Sequence, residues 1–187
     1  MMTGRCRFNI YLLLLCAVVA GGCSSASTDP QKAQKQKEKA QKKLSATLSI
    51  HPEVAGEAMS FSKRVSVFRQ NPVSVTVDTA PILTEANVAA ARVVQTPSGF
   101  ALQIQFDHQG TWLLENYTTT SPGRRYAIRC EFGEKIMESR WLAAPVIPRR
   151  ISNGVLTFTP DASREEADLI AIGLNNVAKK VQDDLKF

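Results

Sequence analysis

Histidine and cysteine are scarce in this chain of 187 residues: two of the first and four of the second. So few ligands and thiols argue against dedicated metal or nucleophile chemistry. Aromatic residues make up only 7%, which gives no reason to expect a large aromatic ligand groove. No Gly-rich phosphate loop, G-x-S-x-G string or Walker-like motif occurs, and no internal repeat. Only one sustained apolar run is present, near the N-terminus, which excludes a multi-span membrane protein. What remains is 44% hydrophobic and 21% charged, the balance of one ordinary globular domain.

The first segment reads as an address. Arg5 and Arg7 precede an apolar run from Ile10 to Ala20, with no acid between Met1 and Arg7. The run is too short for an ordinary spanning helix, which needs about 20 residues. It has the length of the apolar region of a secretory signal. Ala20-Gly21-Gly22-Cys23 follows, and small residues just before a Cys resemble a bacterial lipobox. Residues 1–22 are then a lipoprotein signal peptide and Cys23 the acylated first residue of the mature chain. Three acyl chains hold far more firmly than one. A plain secretory signal with Cys23 incidental, or a signal anchor, are the alternatives. Cysteine usage fits the first reading: Cys6 and Cys16 are removed, Cys23 is modified, and Cys130 alone stays in the domain, so no internal disulfide is expected.

Residues 23–43 read as a tether. Gln31–Lys43 holds six Lys, one Glu and no large apolar residue, so it has nothing to bury. From Leu44 onward basic and acidic residues balance at 15 each, so the formal +6 of the chain belongs to signal and tether. A neutral domain weakens any nucleic-acid reading. The tether lysines, Lys32, Lys35, Lys37, Lys39, Lys42 and Lys43, suit either an anionic membrane surface or a plain soluble spacer.

Residues 44–187 read as one α+β domain, a mixed or antiparallel sheet with helices packed on one face. Thr47–His51, Val65–Phe68 and Val73–Val77 alternate as strands. Thr84 looks like the cap of a short helix through Ala89. Ala91–Thr96 and Phe100–Phe106 flank the turn-forming Pro97-Ser98-Gly99 and predict a hairpin. Asp107 caps a helix to about Thr119, with Trp112, Leu113 and Tyr117 in its middle. Arg125–Phe132 and Lys135–Arg140 predict a second hairpin. Trp141–Ile147 is apolar but contains Pro145, so it reads as an edge or irregular segment. Val155–Thr159 is a last strand. Ser163-Arg164-Glu165-Glu166 is a capping box before a long helix with Ile170, Leu174, Val177, Val181 and Leu185 at helical spacing.

These landmarks, from Val73 to about Asn176, resemble the head subdomain of the first periplasmic domain of SecD/SecDF, accessory subunits of the bacterial protein translocase. Thr79-Ala80-Pro81-Ile82-Leu83-Thr84 with Ala86-Asn87-Val88 and Ala91 is similar to that family's opening stretch. Phe106-Asp107, Gly110, Leu114 and Thr118 are similar to its first helix. Gly133, Lys135-Ile136 and Ala143–Ile147 are similar to its hairpin, and Ser163, Glu165-Glu166-Ala167 and Leu169 to its final helix. The resemblance implies the head fold and a link to protein export, since the family's head is thought to hold an unfolded client. Phe132 stands where the family has Asp, and Glu138–Leu142 lengthen the approach to Ala-Pro. The family's membrane-spanning helices with proton-coupling acids have no counterpart run here, so no proton-driven step is expected. Fold alone carries no activity.

Chemistry-bearing constellations are weak. His51 and His108 are far apart, with no metal-ligand spacing around either, and His108 reads as a surface residue of a first helical turn. Cys130, in an alternating stretch, reads as a semi-buried strand residue rather than a catalytic thiol. Glu165-Glu166 could be paired carboxylates, but the capping box explains them more simply. Asn116-Tyr117-Thr118 fits a glycosylation sequon by chance. Trp112 and Trp141 could stack on a sugar, but both sit in core-like patterns. Arg124-Arg125 and Arg149-Arg150 could meet an acidic partner or be solvated strand ends. The candidate binding edge is Trp141, Leu142, Pro145, Val146 and Ile147, because Pro145 prevents ordinary ladder pairing and leaves an apolar edge open to a polypeptide. The alternative is that the segment covers the domain's own core.

The expectation is therefore a non-enzymatic module, lipid-anchored through Cys23 and facing the periplasm. It would bind unfolded exported polypeptide or translocase subunits, with no cofactor, metal or nucleic acid. Ser24 after Cys23 favours the inner leaflet of the outer membrane over the inner membrane. The rival is a structural envelope lipoprotein whose basic tether touches anionic lipid or cell wall; an unrecognised hydrolase is a third reading.

Overall fold

A computed structural model describes residues 39–54, 61–133 and 138–184. The signal-like segment, Cys23, the tether as far as Glu38, residues 55–60 and 134–137, and the last three residues from Leu185 lie outside the described residues.

The spine of the fold is a pair of long strands. In β1 (Ser45–Pro52), Ala46, Leu48 and Ile50 alternate inward, the period-two pattern of a half-buried strand. It pairs antiparallel with β7 (Arg124–Gly133) along its whole length, from Ser45↔Gly133 to Pro52↔Tyr126. The outer edge of β1 takes the two-residue β4 (Leu83–Thr84). The outer edge of β7 takes β8 (Glu138–Ala143) and then β9 (Val146–Ile147).

Two further ladders pack around this sheet. One is β10 (Val155–Phe158), β6 (Gly99–Phe106) and β5 (Val88–Thr96), with the expected hairpin turn between β5 and β6. The other is a two-stranded ribbon of β2 (Ser62–Val67) and β3 (Val73–Asp78). Every pairing among the described strands is antiparallel, so the α+β class holds while the expected single sheet is three ladders. Leu48, Ile50, Leu102, Ile104, Ile128, Ile170 and Leu174 share the main core, and the ribbon's valines close a second, smaller one over Ala127 and Ala144.

The short helix expected through Ala89 is a single 3-10 turn, Glu85–Asn87. The Asn87 side chain accepts the Thr84 N–H at 3.2 Å, and Val88 already points into the core as the first residue of β5. Ala89 forms a bulge there. Helix α1 (His108–Thr120) is capped as expected, Asp107 Oδ1 accepting the Gly110 N–H at 2.6 Å. Its buried stripe is Gly110, Leu114 and Thr118, at i, i+4, i+8. Trp112 lies about 200° around the helix from Leu114 and is 61% exposed, so its expected core role is overturned.

Helix α2 (Arg164–Asp184) starts with the expected capping box: Ser163 Oγ accepts the Glu166 N–H and Glu166 Oε2 accepts the Ser163 N–H. Ile170 and Leu174 are fully buried, joined by Ala167, Ala171 and Ala178, while Val177 and Val181 are half-buried. Asn175 covers the free edge of β5: its Oδ1 accepts the Ala91 N–H and its Nδ2 donates to the Ala91 carbonyl, both at 2.8 Å. A helix side chain thus stands in for a missing strand.

Candidate functional site

The apolar segment after β8 hangs on the outer edge of β7. β8, an edge strand of the main sheet, runs through Trp141–Ala143, the first part of the segment expected to be an edge or irregular. An extra residue at Leu142 bulges the strand, because Ile128 pairs with Ala143 and Arg129 with Trp141. After Ala144-Pro145 the chain returns to β7, pairing Val146 with Arg125 and Ile147 with Arg124. The Tyr126 N–H donates to the Pro145 carbonyl at 3.0 Å and the Gly123 N–H to the Ile147 carbonyl at 2.8 Å. Successive residues of a strand turn their backbone groups to opposite sides. The N–H and carbonyl of Val146 therefore face away from β7, and its side chain is 47% exposed.

The five candidate edge residues separate accordingly. Leu142 and Ile147 are buried in the core, so for these two the segment covers the domain's own interior. Pro145 is half-buried. Val146 is the residue that presents both side chain and backbone. It shares an open cleft of about 280 Å³ with Pro148, Arg149, Arg150 and Thr157. Arg150 is ion-paired with Glu115 and borders a second cleft of about 230 Å³ holding Trp112, Asn116 and Thr119. One basic pair from the sequence thus lies between an exposed valine and an exposed tryptophan. Of the other pair, Arg124 Nη1 donates to the Glu53 carbonyl, while Arg125, the cross-strand partner of Val146, gives its backbone N–H to the Glu53 carboxylate.

Trp141 is half-buried where the β2–β3 ribbon meets the main sheet. His51 meets it edge-on at 5.3 Å, and Lys63 Nζ sits 5.3 Å from the ring centroid. His51 is itself buried, with Nδ1 2.9 Å from the Asp78 carbonyl and Nε2 3.1 Å from Ser49 Oγ. That pairing suits the neutral ring, Nδ1–H donating to the carbonyl and Nε2 accepting from the hydroxyl. Burial is the main reason its pKa lies below the ordinary histidine value.

A charged cluster ties the ribbon turn, β8 and α2 together. The Arg140 guanidinium holds Glu166 with two bonds, of 3.0 and 3.1 Å, donates to the Asp161 carbonyl at 3.1 Å, and pairs with Glu138. Arg69 adds its backbone N–H to Asp161 Oδ2 at 2.9 Å and its Nε at 3.2 Å, just after Phe68, whose φ is +69°. Arg140 is the first reason that the Glu166 carboxyl lies below its usual range. Both Glu166 oxygens are thus engaged, Oε1 by Arg140 and Oε2 by Arg140 and the Ser163 N–H, which gives this carboxylate the roles of helix cap and ion-pair partner. Sequence reading found the capping role of Glu166 and missed its partner, which lies 26 residues away.

Other chemical candidates are equally quiet. Cys130 is fully buried, and burial is the main cause pushing its thiol up to about 12, far from a reactive thiolate. Among the described residues no three His, Cys, Asp or Glu side chains gather as a metal site. A cleft of about 600 Å³ lies beside β5 and β6. Its polar groups satisfy one another: Arg92 Nε donates to Gln103 at 2.7 Å, and Gln103 Nε2 to Thr157 at 3.1 Å. It holds no nucleophile with a base.

Strand order, capped helices and this edge can be set beside known proteins. The family model described as SecDF, P1 head subdomain, matches residues 58–178. The chain belongs to this family. The match starts before the 73–176 stretch in which the sequence landmarks fall, and takes in the β2–β3 ribbon. A solved structure of SecDF, described as a membrane component that enhances protein export, aligns with TM-score 0.51 and 21% identity, covering 78% of this chain and 69% of that one. A crystal structure of SecDF in a super-membrane-facing form aligns with the same score and identity over 79% of this chain, but over only 21% of its own length. At that identity the likeness shows a shared fold. No curated protein sequence matches the chain. Among the described residues no helix is long and apolar enough to cross a membrane.

Proposed function

We propose that this SecDF-head protein is a non-enzymatic module of protein export, acylated at Cys23 and held at the periplasmic face of the outer membrane, that binds extended polypeptide along the edge from Pro145 to Pro148. The observation that carries the reading is Val146. Its side chain is 47% exposed, and its backbone groups face outward beside the cationic Arg149 and Arg150. An extended segment could add main-chain hydrogen bonds there and seat an apolar side chain, the β-augmentation mode of recognition. The flanking prolines lack N–H donors and confine the edge to a short stretch, which suits brief contact with many clients better than a permanent strand exchange. Family membership and the description of SecDF as enhancing export support the process; the lipobox supports the anchor.

Photo-crosslinking in cells tests the reading, with the crosslinker at position 146 and a control at Leu169, an exposed apolar residue of α2. Crosslinks from 146, and not from 169, to many unfolded exported chains or to translocase subunits are expected. Crosslinks to one folded envelope protein, or none above background, overturn it. For the anchor, Cys23→Ser should remove the acyl mass and release the protein from membranes; an unchanged mass refutes acylation. The rival reading, a structural lipoprotein acting through its tether, draws on Asn176, whose Nδ2 donates to the carbonyls of Gln41 and Leu44. It requires that neutralising the tether lysines abolish function while Val146→Asp leaves it intact.

A further inference from the structure

The end of the tether is built into the folded domain. Lys43 N–H donates to the Ala40 carbonyl and Leu44 N–H to the Gln41 carbonyl, closing a turn, and Asn176 of α2 clasps that turn at 2.7 and 3.0 Å. Lys42 and Lys179 border one cleft of about 300 Å³, with Gln41, Ile172 and Asn175 between them. Lys39, Lys42, Lys43, Lys179 and Lys180 are all exposed. Asp183 and Asp184, one turn further along α2, are the opposing charges on that helix end. The domain as a whole is charge-balanced, whereas these two segments, joined by the Asn176 clasp, carry five lysines and two aspartates, a local excess of positive charge. Lys179 and Lys180 lie before the last turn of α2, which holds no basic residue, so the helix dipole does not account for them. Nor does it account for a side-chain clasp that holds Lys42 at the same cleft as Lys179, where like charges repel.

We infer that the turn at 39–44 and the C-terminal half of α2 form one docking face for an anionic lipid bilayer. This rests on the anchored reading above and deepens it, because it says which side of the domain meets the membrane. The occupant follows from charge and from where the chain enters. An anchor at Cys23 lies sixteen residues before Lys39, a reach of at most about 55 Å when extended. The folded part nearest the anchor along the chain is therefore this lysine face. Lys32, Lys35 and Lys37 lie between and carry the same sign. Tethering makes the contact intramolecular, so weak individual attractions suffice.

The test is hydrogen–deuterium exchange on the chain with its cell-processed N-terminus, on vesicles of phosphatidylethanolamine alone or mixed with phosphatidylglycerol. Each lysine at an anionic surface shifts the balance about fivefold. Peptides spanning 39–44 and 172–184 should exchange at least about fivefold more slowly on the anionic vesicles, with 145–151 unchanged. The slowing should vanish at about 1 M salt, where the Debye length is about 3 Å. It should also vanish in the Lys42→Glu, Lys43→Glu, Lys179→Glu, Lys180→Glu variant, checked for folding by circular dichroism. Equal exchange on both vesicles, or slowing that survives salt, overturns the inference. Failure of the anchor reads differently: the chain then leaves neutral vesicles on sedimentation, while the exchange comparison on anionic ones still reports the lysine face.

Discussion

Gly173→Ala sets helix propensity against packing, and the two predict opposite signs. In the interior of α2, alanine is favoured over glycine by about 1 kcal/mol. At this position α2 rests directly on β1. A Cβ at 173 would lie 2.8 Å from Ala46 Cβ, 2.8 Å from Ala46 N and 2.8 Å from the Ser45 carbonyl carbon. Carbon atoms pack best at about 3.5–4.0 Å, so roughly 1 Å must be found. Two of the three obstacles are backbone, in a strand paired along its whole length with β7. The helix would have to lift, loosening Ile170 and Leu174 in the core, and overpacking of this kind costs about 1–3 kcal/mol. Because backbone atoms are what must move, the upper part of that range, about 2–3 kcal/mol, applies, and with the propensity gain deducted a net loss of about 1–2 kcal/mol is expected. Urea denaturation of the unlipidated chain reads it, as a lower midpoint with unchanged slope. Ala46→Gly in the same molecule should recover part of the loss and not all of it, since the backbone atoms of 45 and 46 remain. Equal or greater stability for Gly173→Ala would refute the close approach of α2 to β1.

Arg140→Met should cost about 2 kcal/mol, because it leaves the partly buried Glu166 without its bidentate partner; a loss below about 0.5 kcal/mol in urea melts would place the cluster with ordinary surface pairs. His51 gives a pH dependence. Its folded pKa lies below the unfolded value of about 6.5, so the unfolded chain binds the proton first and stability falls as pH drops below about 6.5. His51→Gln should flatten the profile between about pH 7 and 5, and an identical profile would show that another group carries it. Glu166 acts in a separate, lower window: its depressed pKa gives stability that is present above about 4.5 and lost as pH falls through the folded value. Cys130 should be alkylated only as fast as the domain unfolds, read by peptide mass spectrometry at mildly alkaline pH; rapid native labelling would contradict its burial.

What could be read from sequence was what is decided locally. Asp107 and Ser163 announce their helices because each cap bonds within three residues. The turn at 97–99 and the alternation of β1, β3 and β6 are likewise local, and the family landmarks extend that reach. The misses are long-range or concern which face is used. Asn175 and Arg140 look like surface residues until β5 and Glu166 are placed beside them. Trp112 lies on a helix whose buried stripe is narrow, built on Gly110, Leu114 and Thr118, and no apolar period marks that stripe. Trp141–Ile147 has no period at all, so sequence could flag the segment and not choose Val146 over Leu142 or Ile147. The bulge at Leu142 and the return to β7 made that choice.

The register of β7 relates the two proposed surfaces. Its C-terminal end, Gly133, pairs with Ser45, the residue after the lysine turn; Arg125, next to its N-terminal end, pairs with Val146. Eight residues of strand separate those pairings, about 26 Å at 3.3 Å each. A domain lying with its lysine face on a bilayer therefore carries the polypeptide edge at the far end of its longest strand. Measured along the strand, that separation exceeds the Debye length of about 8 Å at physiological salt, so the charges of Arg149 and Arg150 are screened from those of the lysine turn. If the lysine face and the edge both bind, the spine of β1 and β7 is what keeps them apart. An edge crosslink that required the lysines, or a lysine contact that occluded position 146, would contradict this separation.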